Sequence, residues 1–261
     1  MNKDIIGKTL GKLGSRGRDA CARFLIEKGF SPNILTLAGV VINVLGAVLL
    51  ALGVRDVTGI NWMHITAGAV ILLANIFDTL DGAVARMSGQ ETRFGAFLDS
   101  VTDRYSDMCL FSGTLVYFAV KGDVLFVIVS SLAAMGGIMT SYVRARAESL
   151  LPGKFNAGYM ERPERIIVFA IACLFDRLYF GMLCIAVFAN LATFHRGWDV
   201  WCMNRNLEDP EHARQGYGSI KAPRHLRALR SVFFWTHSRQ TWQHDALGIF
   251  LFVLLLISPH R

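Results

Sequence analysis

Asn33-Ile-Leu-Thr-Leu-Ala-Gly-Val-Val-Ile-Asn-Val-Leu-Gly-Ala-Val-Leu-Leu-Ala-Leu-Gly-Val54 runs for 22 residues without a charge. About 20 consecutive apolar residues cross the hydrocarbon core of a bilayer as one α-helix, because a helix pairs every backbone polar group within itself. The stretch therefore reads as a first transmembrane helix. Further spans follow at about 63–84, 96–120, 124–142, 166–175 and 178–194. The expected fold is all-α: a polytopic membrane protein with six transmembrane helices over residues 32–195. Residues 1–31 are expected to carry a juxtamembrane amphipathic helix, and residues 196–261 a C-terminal interfacial extension without assigned chemistry.

Composition agrees. Of 261 residues, 53% are hydrophobic and only 18% charged, against the roughly 25% charge of ordinary soluble domains. Apolar abundance excludes disorder and a disulfide scaffold, and the five cysteines offer no C-x-x-C pair for zinc or redox work. The net charge of +7 arises from 27 Lys and Arg against 20 Asp and Glu. These basic residues fall between apolar runs and not on one polar domain, which argues against nucleic acid as a partner. They cluster in the N-terminal segment, after the second and fourth spans, and in the tail. By the positive-inside rule both termini face the cytoplasm, in an inner or cytoplasmic membrane, with an even number of spans. The basic, partly apolar segment around Ala20, Phe24 and Ile26 suits a helix lying on the inner leaflet. In the tail, Ala246–Ile257 is a dozen apolar residues, too short for a span and read as re-entrant, interfacial or packed on the bundle.

The acids are the anomaly. Asp78, Asp81, Asp99, Asp103 and Asp107 lie in or beside the second and third spans, where an ionisable group needs a partner or a function. Asp78 and Asp81 share one helix face at i, i+3, and Asp99 and Asp103 share one at i, i+4. The short link between the two helices brings the pairs together at the inner surface. Four converging carboxylates repel one another unless cations neutralise them, and hard divalent ions such as Mg²⁺ or Mn²⁺ are the natural partners of oxygen ligands. Gly82 leaves room for a ligand at the backbone, and Arg86, one turn on, has the geometry to hold a phosphate. Asp107 continues the same face one turn deeper and reads as a packing or hydrogen-bonding residue.

Asp78-Thr-Leu-Asp81-Gly82-Ala-Val-Ala85-Arg86, then eight residues to Gly95, three to Asp99 and three more to Asp103, resembles the signature of the CDP-alcohol phosphotransferases without a mismatch. The likeness extends from about residue 16 to about 195 and includes the Ser31-Pro32-Asn33-x-x-Thr36 entry to the first span. It implies transfer of a substituted phosphate from a CDP-linked donor to an alcohol, with release of CMP. By position, Asp78, Asp81 and Asp99 resemble ligands of two divalent ions, with Asp103 completing the second site and acting as general base. Gly82, Arg86 and Thr92 resemble positions holding the CDP moiety, and Asn33 and Thr36 those closing the nucleotide pocket. The family also implies a homodimer.

For the acceptor, Ser141-Tyr-Val-Arg144 with Gly158-Tyr-Met-Glu-Arg162-Pro-Glu-Arg165 is similar to the phosphatidylinositol-phosphate synthase branch, including its archaeal ether-lipid relatives. Arg144, Arg162 and Arg165 are then the expected acceptor-phosphate site, since guanidinium groups match phosphate geometry. This implies CDP-diacylglycerol, or an ether-lipid equivalent, as donor and inositol phosphate as acceptor. Glycerol phosphate suits the same pocket, so a phosphatidylglycerophosphate synthase is the nearest alternative. An intramembrane Asp cluster also occurs in cation and proton transporters, but these tend to show interrupted helices in two related halves. Here all the acids sit in one hairpin.

Overall fold

The computed structural model describes residues 3–53, 59–151 and 160–208 of the chain, and these are helical with no strand among them. The order is α1 (Lys3–Glu27), α2 (Pro32–Ala51), α3 (Trp62–Ser88), α4 (Arg93–Val120), α5 (Val124–Leu150), α6 (Arg162–Leu174) and α7 (Leu178–Glu208). The Arg55-Asp56 loop, the Gly158-Tyr159 part of the charged loop and the tail beyond residue 208, Ala246–Ile257 included, lie outside the described residues.

Local chemistry sets the helix ends. Pro32 opens α2, where its missing N–H costs no helical bond. Asn61, Thr92 and Asp123 cap α3, α4 and α5 by accepting from the backbone N–H of His64, Gly95 and Phe126 at 3.2, 2.9 and 3.2 Å. Gly89 ends α3 in the left-handed conformation at φ 68°, which glycine adopts without steric cost. At the start of α6 the Glu164 side chain accepts from the Glu161 backbone N–H at 3.0 Å.

Four helices are long and apolar enough to cross a membrane: α2, α3, α5 and the Leu178–Trp201 part of α7. The six-span expectation is thus met in four. The 28 residues of α4 are long enough, but Asp99, Asp103, Arg104 and Asp107 interrupt their apolar character. The 13 residues of α6 reach only about 20 Å at 1.5 Å per residue, short of the roughly 30 Å hydrocarbon core. Helix α1 covers most of the N-terminal segment, and its Ala22 packs with Leu35, Ala83 and Val84 of α2 and α3. Helix α7 passes without a break through residues 195 and 196, the expected end of the transmembrane domain.

Helix α2 packs between α3 and α4, α5 lies along α7, and α6 is held between α3 and α7. Leu50, Ile71, Leu110, Phe118, Phe169 and Met182 meet in the core. Val41, Leu45, Val48, Val116 and Ile128 point outward and exposed, as side chains facing lipid do. Where α2 and α4 cross, a Cβ on Gly113 would collide with the Ala47 backbone carbonyl, so the close approach depends on a residue without one. Gly113→Ala is expected to destabilise the protein by about 1–3 kcal/mol through overpacking, read as a lower thermal unfolding midpoint in detergent. An unchanged midpoint would mean that the two helices part freely.

Candidate active site

The helical periodicity of α3 and α4 turns one carboxylate from α3 and two from α4 toward a common point. Asp78, Asp99 and Asp103 each present an oxygen within 4.8 Å of the others, a donor set suited to a hard cation. Asp81, one turn further along α3, is buried beside them and accepts from the Thr36 hydroxyl of α2 at 2.6 Å. The four signature aspartates are thus gathered at one end of the bundle, three in a tight cluster and the fourth against α2.

Two cavities flank this cluster. One, of about 200 Å³, is bounded by Asn33 and Thr36 of α2, Asp81, Gly82 and Arg86 of α3, and Thr92 and Asp99 of the α3–α4 corner. All five residues that the sequence pointed to for the CDP moiety therefore line one space. Gly82 keeps that space open beside Arg86: a Cβ there would stand 3.3 Å from Nη1 of the arginine. Thr92 faces the cavity while its hydroxyl accepts from Gly95 N–H.

The second cavity, of about 380 Å³, opens between α4, α5, α6 and α7. Arg104, Arg144, Arg162, Arg165 and Arg196 line it together with Asp103, Glu148 and Glu161. Five guanidinium groups thus face three carboxylates in the wall, and Asp78 and Asp107 just behind it supply further countercharges to Arg162 and Arg165. Its cations differ in their engagement. Arg144 is half-exposed and reaches Glu148 at 3.2 Å and Glu161 at 3.5 Å. Arg162 stands between the cavity and the carboxylate cluster. Its Nη1 lies 2.7 Å from Asp103 and 3.0 Å from Asp78, and its Nε lies 3.4 Å from Asp107.

Arg165, expected as a third phosphate ligand, is only 2% exposed. It donates to Asp107 at 2.7 Å, to the Thr140 hydroxyl at 3.1 Å and to the Met160 carbonyl at 3.0 Å. A buried Arg–Asp pair whose two Nη atoms are both engaged is a structural tie, here binding α6 to α4 and α5, while the buried Nε of Arg165 has no partner among the described residues. Asp107 accordingly has the packing role its position suggested.

Arg196 is the residue that sequence reading missed. It is equally buried and donates to the Thr140 carbonyl at 2.7 Å and to Glu161 at 3.4 Å, with its guanidinium in the cavity wall. Its side chain lies two residues beyond the last apolar position read as the sixth span. The available signal was negative: no proline interrupts the chain between Leu178 and Asp209, so nothing ends the helix at residue 195.

A sequence model of the CDP-alcohol phosphatidyltransferases matches residues 30–203. The chain belongs to this family. The match encloses every candidate site residue, Arg196 included. Among curated relatives, the archaetidylinositol phosphate synthase of Pyrococcus horikoshii is 34% identical over 194 residues, covering 74% of this chain and 88% of that protein. The phosphatidylinositol phosphate synthase of Streptomyces avermitilis is 35% identical over 196 residues, covering 74% and 76%. Two crystal structures of Mycobacterium tuberculosis phosphatidylinositol phosphate synthase share the fold at 31% identity. The form with CDP-DAG bound has a TM-score of 0.64 and covers 71% of this chain and 94% of that one. The form with manganese and citrate has a TM-score of 0.63 and covers 70% and 88%.

The chain is therefore an integral membrane enzyme of phospholipid biosynthesis with CDP-alcohol phosphatidyltransferase activity. Family membership sets aside the cation-transporter reading of the aspartate cluster.

Proposed function

We propose that this enzyme transfers the phosphatidyl group of CDP-diacylglycerol, or of its ether-lipid equivalent, to a hydroxyl of inositol phosphate and releases CMP on the cytoplasmic side. The observation that carries the reading is the position of Asp103. Its carboxylate belongs to the three-aspartate cluster and also forms part of the wall of the arginine-lined cavity. A base there stands between the donor and the acceptor.

Asp78, Asp81, Asp99 and Asp103 would hold two divalent ions, Mg²⁺ or Mn²⁺. Bound there, such ions neutralise the donor diphosphate and stabilise charge on the departing CMP oxygen. The remaining roles fall to the chain itself. Asn33, Thr36, Gly82, Arg86 and Thr92 line the cavity on the Asp81 side and hold the CDP moiety. Arg144, Arg162 and Arg196 receive the acceptor phosphate, with Arg165 fixing the floor beneath them. The acceptor hydroxyl attacks the phosphorus that carries the lipid. A new P–O bond forms, the bond to CMP breaks, and the hydroxyl proton passes to Asp103.

A cavity wall with five guanidinium groups, Arg144 among them half-exposed, suits a phosphate better than a neutral polyol. Relatives named for inositol phosphate products support inositol phosphate over glycerol phosphate as its carrier. The deciding experiment gives purified enzyme CDP-diacylglycerol and Mn²⁺ with inositol phosphate, glycerol phosphate or inositol, and reads labelled lipid product. Inositol phosphate is expected to give the highest turnover; preference for either of the others overturns the assignment. Arg144→Gln is expected to raise KM for inositol phosphate about tenfold, the effect of one charged hydrogen bond at a partly exposed site. KM for the CDP donor, on the far side of the cluster, should not move.

A further inference from the structure

Beside the carboxylate cluster, between α2, α3 and α4, lies a small space that shares Thr36 with the first cavity and Asp103 with the second. It offers about 10 Å³ to the centre of a water molecule and is bounded by Asn43, Gly39, Asp78, Thr102, Asp103 and Ser106. That is room for one water. Two of its lining side chains are anomalous. Asn43 is 7% exposed and Ser106 is 3% exposed, and neither side chain has a hydrogen-bond partner among the described residues. Both side chains border the space without being fully sealed from it, and polar groups so placed commonly mark a bound water.

Position supports the pairing. Ser106 follows Asp103 by three residues on α4 and so lies one turn deeper on the same face. Asn43 approaches from α2, where Gly39, one turn earlier, contributes no side chain to the space. A water carries two donors and two acceptors. The Asn43 amide and the Ser106 hydroxyl supply two donors, and the rear of the Asp78 and Asp103 carboxylates supplies acceptors.

We propose that Asn43 and Ser106 hold a single structural water beneath Asp78 and Asp103, and that through it they orient the two carboxylates. They are positioning residues that touch neither donor nor acceptor. Groups that orient metal-binding carboxylates from behind commonly govern affinity and turnover by about ten- to a hundredfold when removed. The inference rests on the proposed role of the aspartate cluster, while the existence of the water does not.

The test uses the full-length enzyme in detergent and the double variant Asn43→Leu/Ser106→Ala, in which both replacements are apolar and close in size. Mn²⁺ titration without substrates is expected to show about tenfold weaker binding. Turnover should fall by a similar factor with both KM values unchanged. The thermal midpoint in chelator should hold or rise, since two unpaired buried polar groups have gone. Ser106→Thr, which keeps the hydroxyl, should retain wild-type Mn²⁺ affinity beside an intact Asn43. A structure of the wild-type enzyme at a resolution that reveals ordered solvent should show one water within hydrogen-bond distance of both side chains. A dry cavity overturns the proposal, as does a double variant with wild-type Mn²⁺ affinity and turnover. Full activity in Asp103→Asn would instead overturn the reading of the cluster, and leave the water to be judged by density alone.

Discussion

Asp103→Asn is expected to lower CMP release by about a thousandfold or more, within or beyond the usual 10²–10⁴ contribution of a positioned general base. Asparagine preserves shape and one carbonyl oxygen. It removes the negative charge, one cation-ligating oxygen and the capacity to accept the acceptor's proton. Three functions that meet in one carboxylate are lost together. The fold should tolerate the change far better than the chemistry does, because Arg162 retains Asp78 at 3.0 Å and Asp107 at 3.4 Å as countercharges. The measurement is CMP release from CDP-diacylglycerol at saturating inositol phosphate, beside a thermal midpoint to establish folding. Treating the wild type with a chelator should abolish release and restoring Mn²⁺ should recover it, whereas Asp103→Asn should stay inactive at any Mn²⁺ concentration. Full turnover in this folded variant would remove Asp103 from the reaction.

The second large effect is expected at Arg162. Its guanidinium is the one cation among the described residues that touches Asp78, Asp103 and Asp107 at once. In Arg162→Gln these carboxylates keep their mutual repulsion and lose their organic counterion. Breaking a buried ion pair from one side typically costs about 3–5 kcal/mol, and the partial exposure of this site puts the expectation at the lower end. The loss should therefore depend on the cation supply. In chelator the variant should melt well below the wild type, and Mn²⁺ should recover more stability in the variant than in the wild type, since a ligand stabilises the state that binds it. Turnover should fall about a hundredfold, because Asp103 loses its orienting partner and the acceptor cavity loses a cation, and small misplacements at a reacting centre cost that much. Calorimetry or fluorescence-detected melting with and without Mn²⁺ checks the first part, and the CMP assay the second. Wild-type melting in chelator would mean that the carboxylates need no counterion from α6.

Much of this site could be read along the chain because its key residues are close in sequence. Asp78 and Asp81, and Asp99 and Asp103, sit at spacings that a helix converts directly into shared faces. The link between α3 and α4 is too short to place the pairs anywhere but side by side. The five donor-side candidates are likewise grouped at the start of α2 and the α3–α4 corner, and they line one cavity. The acceptor side was harder. Arg144, Arg162 and Arg165 look equivalent as three arginines near an inner surface. Whether Arg162 and Arg165 face a cavity or a buried acid depends on Asp107 of α4, which precedes them by 55 and 58 residues in the chain.

Span counting shows the same division. Charge-free length identifies α2, and also α3, α5 and the first part of α7, because lipid exposure imposes its hydrophobicity on a continuous stretch. It does not single out α6, which is short and packs against α3 and α7, or α4, whose Asp103 and Asp107 meet arginines from α6.

The sequence by itself determined the helical membrane architecture and the gathering of the aspartates, since both follow from periodicities and lengths within one or two helices. Only the tertiary structure decided which arginines remain available to a substrate. It committed Arg165 to Asp107, set Arg162 between the carboxylates and the cavity, and brought Arg196 into the wall from a helix that continues past its apolar run. It also left Asn43 and Ser106 lining one small space beside the cluster. Ion pairs and cavities form between segments that are distant along the chain, where no local pattern records which side chains will meet.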